Sequence, residues 1–459
     1  MVEFLTKELD FKNKQVYKCM ESLGFILFCL FAFDCSISGS GKWLMIGRLS
    51  IRMILLMFSL FLTFPSVLKS YKQIITNKFT LLLFLFAIIL FVGVVRGILV
   101  RNRMDVFWGD IKGFIYLGMY PMVLLLLQNK KRIEFLMQCM IIGSTLLALI
   151  ILFFQIVYIF THAYAGINMD NLLNIRFIAI NPMTPTLIRL FPFSNIFFIC
   201  NCAFSFYFFF KGRKYSIIYI VTSVFSLIAL LLTYTRSTYL GFVVCILLLV
   251  SFFFLIRNAH RTIIRYGILT VLLFGISISA LGFMGSTNYL KYGVERCLIS
   301  FNSSSANGSS VGENELLETT VVGDSLRHET VNELKTMIKQ SPIIGNGVGA
   351  AVKCRKDGLT EYFYLDLINK MGLIGLCAYI FPALIMGIGL ISQWRTRKKQ
   401  DISLLHLKTT MFSCLIGFMV VSIFNPYMNA VLGIMMYCVT MGTYCCESIN
   451  SDEGMDNLT

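Results

Sequence analysis

Apolar residues run along this chain in blocks of about 20, each closed by a short polar stretch. Such a block matches a hydrocarbon core of roughly 30 Å, and a segment in lipid satisfies its own backbone only as a helix. The pattern predicts twelve spans, at 21–37, 43–64, 79–100, 112–128, 133–160, 187–210, 214–234, 237–256, 264–284, 371–392, 408–424 and 428–446. The longest polar interruption lies at roughly 285–360. Inside it, a Ser/Asn/Gly tip at Asn302 to Ser310 reads as flexible chain. Asp324-Ser325 then caps a predicted helix with Val331, Leu334 and Ile338 on one face, ended by Ser341-Pro342. Gly345, Gly347 and Gly349 follow as a turn-rich exit.

The predicted fold is therefore all-α: a polytopic integral membrane protein of about twelve transmembrane helices with one long extracytoplasmic loop containing short helices. Residues 1–284 carry the first nine spans. Residues 285–370 form the loop and a membrane-surface helix, 371–446 the last three spans, and 447–459 a cytoplasmic tail. No cleavable leader is expected, because the first 20 residues are polar and mixed in charge.

Composition agrees: 57% of the 459 residues are hydrophobic and 14% charged, against roughly a quarter charged in soluble domains. The net charge of +16 would suggest nucleic acid in a soluble protein. Here the cations gather between spans, at Lys69 to Lys78, Lys130 to Arg132, Lys211 to Lys214, Arg257 to Arg265 and Arg395 to Lys399. All five clusters fall on one side, the cytoplasmic side by the positive-inside rule, so no nucleic-acid partner is implied. Both termini then lie in the cytoplasm and the long loop outside. Arg96, Arg101 and Arg103 oppose the rule. Most of the 14 cysteines sit in apolar blocks at spacings unlike a metal site. Cys297 and Cys354 share the loop, where a disulfide is possible in an oxidising compartment.

Ionisable residues near the outer face carry the candidate chemistry, because a charge there needs a partner, water or a ligand. Arg236 lies at the end of the seventh span, in the run Thr233-Tyr234-Thr235-Arg236-Ser237-Thr238. Arg189 starts the sixth span, Arg176 precedes it, and Arg327 and His328 lie in the loop. Arg48 and Arg52 are one turn apart. Arginine's planar fork suits phosphate oxygens, although an outer-face arginine also snorkels to headgroups or pairs with a neighbour. Glu361 opens a mixed segment that breaks at Gly372. It suits the first turn of a surface helix, and beside arginines it can also accept a proton from a sugar hydroxyl. His328 is the fallback base. Outer tyrosines such as Tyr289, Tyr292, Tyr362 and Tyr364 suit sugar stacking or an interfacial belt, the latter being the commoner use.

In this order the residues resemble the O-antigen ligase and polymerase superfamily. Thr235-Arg236-Ser237 is similar to that family's arginine motif at a helix end. Arg327 through Ser341-Pro342-Ile343-Ile344-Gly345-Asn346-Gly347 resembles its loop of arginine, helix, then Pro-x-x-Gly-x-Gly. Glu361 to Gly375, ending Gly372-Leu373-Ile374-Gly375, resembles the segment leading into the span after the loop, and Phe424-Asn425-Pro426-Tyr427 is also similar. The likeness covers roughly residues 186–440. It implies a bacterial inner-membrane glycosyltransferase that takes a glycan from an undecaprenyl pyrophosphate donor, without a nucleotide sugar and with no metal or other cofactor. Its partners would be lipid-linked glycans, membrane lipids and, for a polymerase, a chain-length regulator. Arg236, Arg327 and Arg189 would hold the pyrophosphate, with Arg176 nearby. One departure matters: Glu361 stands where ligases carry histidine, which favours a polymerase over a ligase or a protein O-oligosaccharyltransferase. A transporter or flippase is the rival of another class, opposed by the absence of a charged residue at mid-span in this assignment.

Overall fold

The computed structural model describes residues 2–39, 44–46, 49–161, 178–184, 187–211, 216–254, 315–355, 360–396 and 402–447, with isolated positions between 268 and 279. The chain is mostly helical. Among the described residues, seven helices are long and apolar enough to cross a membrane, and four shorter apolar helices join them. The span expected at 264–284 falls largely outside the described residues, as do Cys297 and the 302–310 tip.

α1 (Val2–Ser38) packs against α2 (Ile51–Lys69) and against the later helix over Lys130–Thr161. The Ser50 hydroxyl caps α2 by accepting from the Met53 N–H at 3.3 Å. A short turn helix, α3 (Tyr71–Thr76), leads to α4 (Lys78–Leu99), capped by Asn77. α2 and α4 expose aromatic side chains along their outer faces; Phe61 is 70% exposed. Such a surface is stable against lipid and a liability in water.

The next span is broken. α5 (Met104–Ile115) passes through a 3-10 turn at Tyr116–Met119 into α6 (Tyr120–Leu126), where Pro121 sits at the start and its missing N–H costs little. α7 (Lys130–Thr161) follows. α8 (Phe197–Phe210), α9 (Ser216–Leu232) and α10 (Arg236–Phe254) complete the first part. Asn201 of α8 donates to Ser144 and Thr145 of α7 at 3.0 and 2.9 Å, a polar tie between helices that share an apolar interface.

Helix α11 (Glu315–Gln340) lies in the long loop, and α12 (Phe363–Thr396), α13 (Ile402–Val421) and α14 (Val431–Cys445) end the fold. α12 packs on α4, α13 on α10, and α14 on α6 and α13. Lys78 and Lys408 both lie over the Tyr444 ring, so these basic helix ends gather at one end of the bundle. Lys211, which pairs with Glu134, follows the same alternation. The α11 loop lies at the other end.

Several expectations are corrected. Two short hairpins occur, β1 (Met45–Ile46) with β2 (Leu49–Ser50), and β3 (Ile178–Thr184) with β4 (Leu187–Pro192). The sixth span was expected from 187, but its helix begins only at Phe197. Pro192 would block a helix started earlier, since it lacks an N–H and clashes with the preceding turn. The second span begins at Ile51 rather than 43. The loop helix is longer than expected, and Asp324-Ser325 lies inside it; it still ends at Ser341-Pro342, and Leu334 on the expected face is fully buried.

Candidate functional site

The site is built on a break in α12. Gly372 has φ +69° and ψ −174°, so the helix stops there and restarts. Such a break strands backbone groups that a span must satisfy. The segment after α11 supplies the partners. Asn346 N–H donates to Asn369 O at 2.6 Å and Gly347 N–H to Lys370 O at 3.1 Å. In return, Leu373 N–H donates to Pro342 O at 2.9 Å. On its other side the segment reaches α4, where Val348 N–H donates to Gly93 O at 2.9 Å. Asn102 then clasps the turn, its side-chain amide donating to the carbonyls of Asn346, Gly347 and Val348.

Glycine permits this approach. Gly347 has φ +89°, and a Cβ on it would meet the Gly97 backbone, while a Cβ on Gly372 would overlap Ile343 O. The loop, α4 and the broken helix are therefore joined backbone to backbone.

Beneath this joint lies a buried ion cluster. Lys370 Nζ reaches Asp110 Oδ1 at 2.7 Å and Asp366 Oδ2 at 2.6 Å. Asp110 Oδ2 accepts from Gly349 N–H at 3.0 Å, tying the cluster to the loop. Asp366 Oδ1 is buried with no partner at hydrogen-bonding geometry. These residues line a small cavity with Phe114, Phe363, Leu367 and Asn429. No charged residue was expected at mid-span; the helices here begin before the expected spans, and Asp110, Asp366 and Lys370 are buried in these earlier parts of helices apolar enough to cross a membrane, as Glu134 is near the start of α7. They persist there because each is paired.

Above the joint, two arginines converge on one carboxylate. Arg327 Nε donates to Glu361 Oε2 at 2.6 Å, and an Arg355 guanidinium nitrogen donates to Glu361 Oε1 at 3.1 Å. Arg355 Nε also donates to the Thr330 hydroxyl at 3.2 Å. The side chains of Arg327, Glu361 and Arg355 are 40, 30 and 13% exposed. One turn along α11 from Thr330, the Glu333 carboxylate accepts from the backbone N–H groups of Lys353 and Cys354, at 2.6 and 3.0 Å. Partial burial works against the Glu333 charge, yet these N–H donors leave its pKa below the usual glutamate value. Burial, with the Glu333 charge beside it, pushes the Cys354 thiol up.

Folding thus brings Arg327 and Glu361 together. Glu361 lies two residues before α12 rather than in its first turn, a place taken by Asp366. His328 is exposed on α11 next to Arg327. Arg236 opens α10 and is half-buried; the adjacent Ser237 hydroxyl accepts from the Asn425 amide at 2.6 Å, and Tyr427 donates to Asn195 at 2.7 Å. The Arg236 and Asn425-Pro426-Tyr427 motifs are therefore neighbours at the loop end. Arg189 is a β4 residue paired with Asn181 in the hairpin register. Arg176, Tyr289 and Tyr292 lie outside the described residues. Arg52 takes the structural alternative: it is buried, and its Nε donates to Asp34 at 2.7 Å.

Sequence reasoning missed Arg355 and the Asp110–Lys370–Asp366 cluster. The four-residue spacing of Asp366 and Lys370 was a readable sign of a helix pair. Nothing in the spacing pointed to Asp110 or Arg355. Among the described residues, no group of three or more His, Cys, Asp or Glu side chains converges as a metal site. A scan against models of protein families finds no match to the chain, and a search of curated proteins finds none.

Proposed function

We propose that this chain is a lipid-linked polysaccharide polymerase of the bacterial inner membrane. It would have about twelve spans, cytoplasmic termini and a working face at the α11 end. The observation that carries the reading is the convergence of Arg327 with Glu361, distant in sequence and joined by a loop anchored to a broken span. Arg236 and the Asn425 turn at the same end support it. The donor would be a glycan on undecaprenyl pyrophosphate. The acceptor hydroxyl of a second lipid-linked repeat attacks the anomeric carbon, and the carbon–oxygen bond to the diphosphate breaks. The lipid diphosphate leaves with the bonding electrons, its charge stabilised by Arg236 and Arg327, with Arg189 and Arg176 as further cations. Glu361 takes the hydroxyl proton as its arginines turn to phosphate, with His328 as the alternative base. Membrane lipids and a chain-length regulator are the expected partners.

The test is a gel of surface polysaccharide from a strain lacking the chain. Single repeat units in place of a ladder are expected. An intact ladder on the lipid carrier, with none on the final acceptor, would instead mean a ligase.

One observation favours a second reading. Buried ionisable residues beside a broken helix are what a transporter uses to bind a coupling ion or substrate. The Asp110–Lys370–Asp366 cluster fits that description. Uptake of labelled lipid-linked glycan into proteoliposomes, abolished by Asp366→Asn, would support it over the polymerase.

A further inference from the structure

We propose that Glu361 is an internal stand-in for a diphosphate, held in a clamp whose second arm is Arg355. This rests on the reading above that the α11 end handles a lipid-linked diphosphate, and it adds the ligand's seat and the means by which the seat is kept filled.

Glu361 offers its two oxygens to two different guanidinium groups, one contributed by α11 and one by the segment after it. One N–H from each guanidinium converges on a pair of oxygens, an arrangement that fits a carboxylate and fits two oxygens of a phosphate group equally well. The two arms differ in a way that suits exchange. Arg355 is 13% exposed and braced by the Thr330 hydroxyl, so it is the fixed arm. Arg327 is 40% exposed and so the more accessible of the two arms.

The loop does not depend on Glu361 for its place. Asn102, Asn346, the Glu333 carboxylate and the contacts at Gly372 already hold residues 341–355. A bridge needed only for anchoring would be redundant here. A displaceable carboxylate has a different use: it keeps two converging cations from repelling each other while the site is unliganded. When phosphate oxygens replace it, Glu361 is released beside the reacting sugar, where a carboxylate able to take a proton is needed. The arginine pair and the base are therefore made ready by a single exchange.

The probe is inorganic pyrophosphate, with affinity measured by calorimetry on the full-length protein in nanodiscs of neutral lipid. Removing the stand-in charge with Glu361→Gln should tighten binding by about tenfold, and Arg355→Ala should weaken it by about tenfold or more. Arg355→Lys, which keeps the charge and loses the fork, should fall between wild type and Arg355→Ala. A gain of affinity is a result that misfolding cannot produce. Unchanged or weaker binding by Glu361→Gln, or unchanged binding by Arg355→Ala, would overturn the proposal. Repeating the series with phosphatidylglycerol in the nanodiscs separates a diphosphate from a lipid headgroup. A tenfold gain that survives supports the diphosphate; one abolished by the headgroup overturns it. The polymerase reading fails separately, if pyrophosphate binds as expected while Arg355→Ala leaves the polysaccharide ladder intact.

Discussion

Arg52 and Arg327 share a side chain and differ in every circumstance that decides what it does. Arg52 is 4% exposed, with its guanidinium shared among Asp34, Ser38 and the Gly39 carbonyl. Removing it leaves the Asp34 carboxylate buried without its cation. Arg52→Met should therefore cost about 3–5 kcal/mol, read as a clear drop in melting temperature of the detergent-solubilised protein. Arg327 is ten times more exposed and its bridge is screened by solvent, so Arg327→Ala should cost about 0–1 kcal/mol. On the proposed function the same change, like Arg236→Ala, should slow glycan polymerisation by about a hundredfold, because it removes charge stabilisation from the departing diphosphate. Full-length ladders from both variants at normal expression would remove these arginines from the site. Glu333 gives a pH effect of definite sign. Its folded pKa lies below the unfolded value of about 4.3, so its contribution is present above that value and lost as pH falls through the lowered one. The protection of the Lys353 and Cys354 amides against hydrogen exchange, taken relative to their intrinsic rates, should fall over that acidic range, and Glu333→Gln should lower it already at neutral pH.

At the scale of the element, α12 and the segment after α11 are a single construction in two pieces of chain. Each leaves backbone groups that the other satisfies, and Gly347 and Gly372 set how closely they meet. Gly372→Ala should cost about 1–3 kcal/mol from its positive φ alone, with the overlap at Ile343 O added. The expected signature is faster proteolysis between 341 and 360 ahead of global unfolding. Equal protease resistance would mean that the break relaxes into continuous helix. Much of this element was legible in the sequence. The Ser341-Pro342 stop, the run of alternating glycines and the break at Gly372 are local signals, each set by what one residue permits its own backbone. The partner of that backbone was not legible. No local rule brings Gly93 and Gly97 of α4 to this loop, because small residues in a span mark a close approach without naming what approaches. The sixth span failed for a related reason: an apolar run from 187 reads as helix until Pro192 is given its full weight. Arg327 and Glu361 could be chosen one by one from residue type and place, whereas Arg355 needed the fold that closes the trio.

For the whole molecule, the question is what the Asp110–Lys370–Asp366 cluster does between the spans and the loop. It links α5, α12 and, through Gly349, the glycine segment, so it stands where the spans and the loop segment meet. A buried cluster of this kind is costly to assemble and more costly to break. Lys370→Met alone leaves two carboxylates facing each other and should cost about 3–5 kcal/mol. The combined Asp110→Asn, Asp366→Asn and Lys370→Met replacement removes the charges together and should recover most of that loss. A melting temperature that stays low in the combined variant would show that these charges hold the joint by more than mutual neutralisation. Activity then divides the two functional readings. If the cluster is scaffold beneath a polymerase face, the combined variant regains its ladder along with its melting temperature, since Arg236, Arg327, Arg355 and Glu361 are untouched. If the cluster carries a coupling ion, stability returns and function does not, because no arrangement of neutral side chains replaces an exchangeable charge within a span.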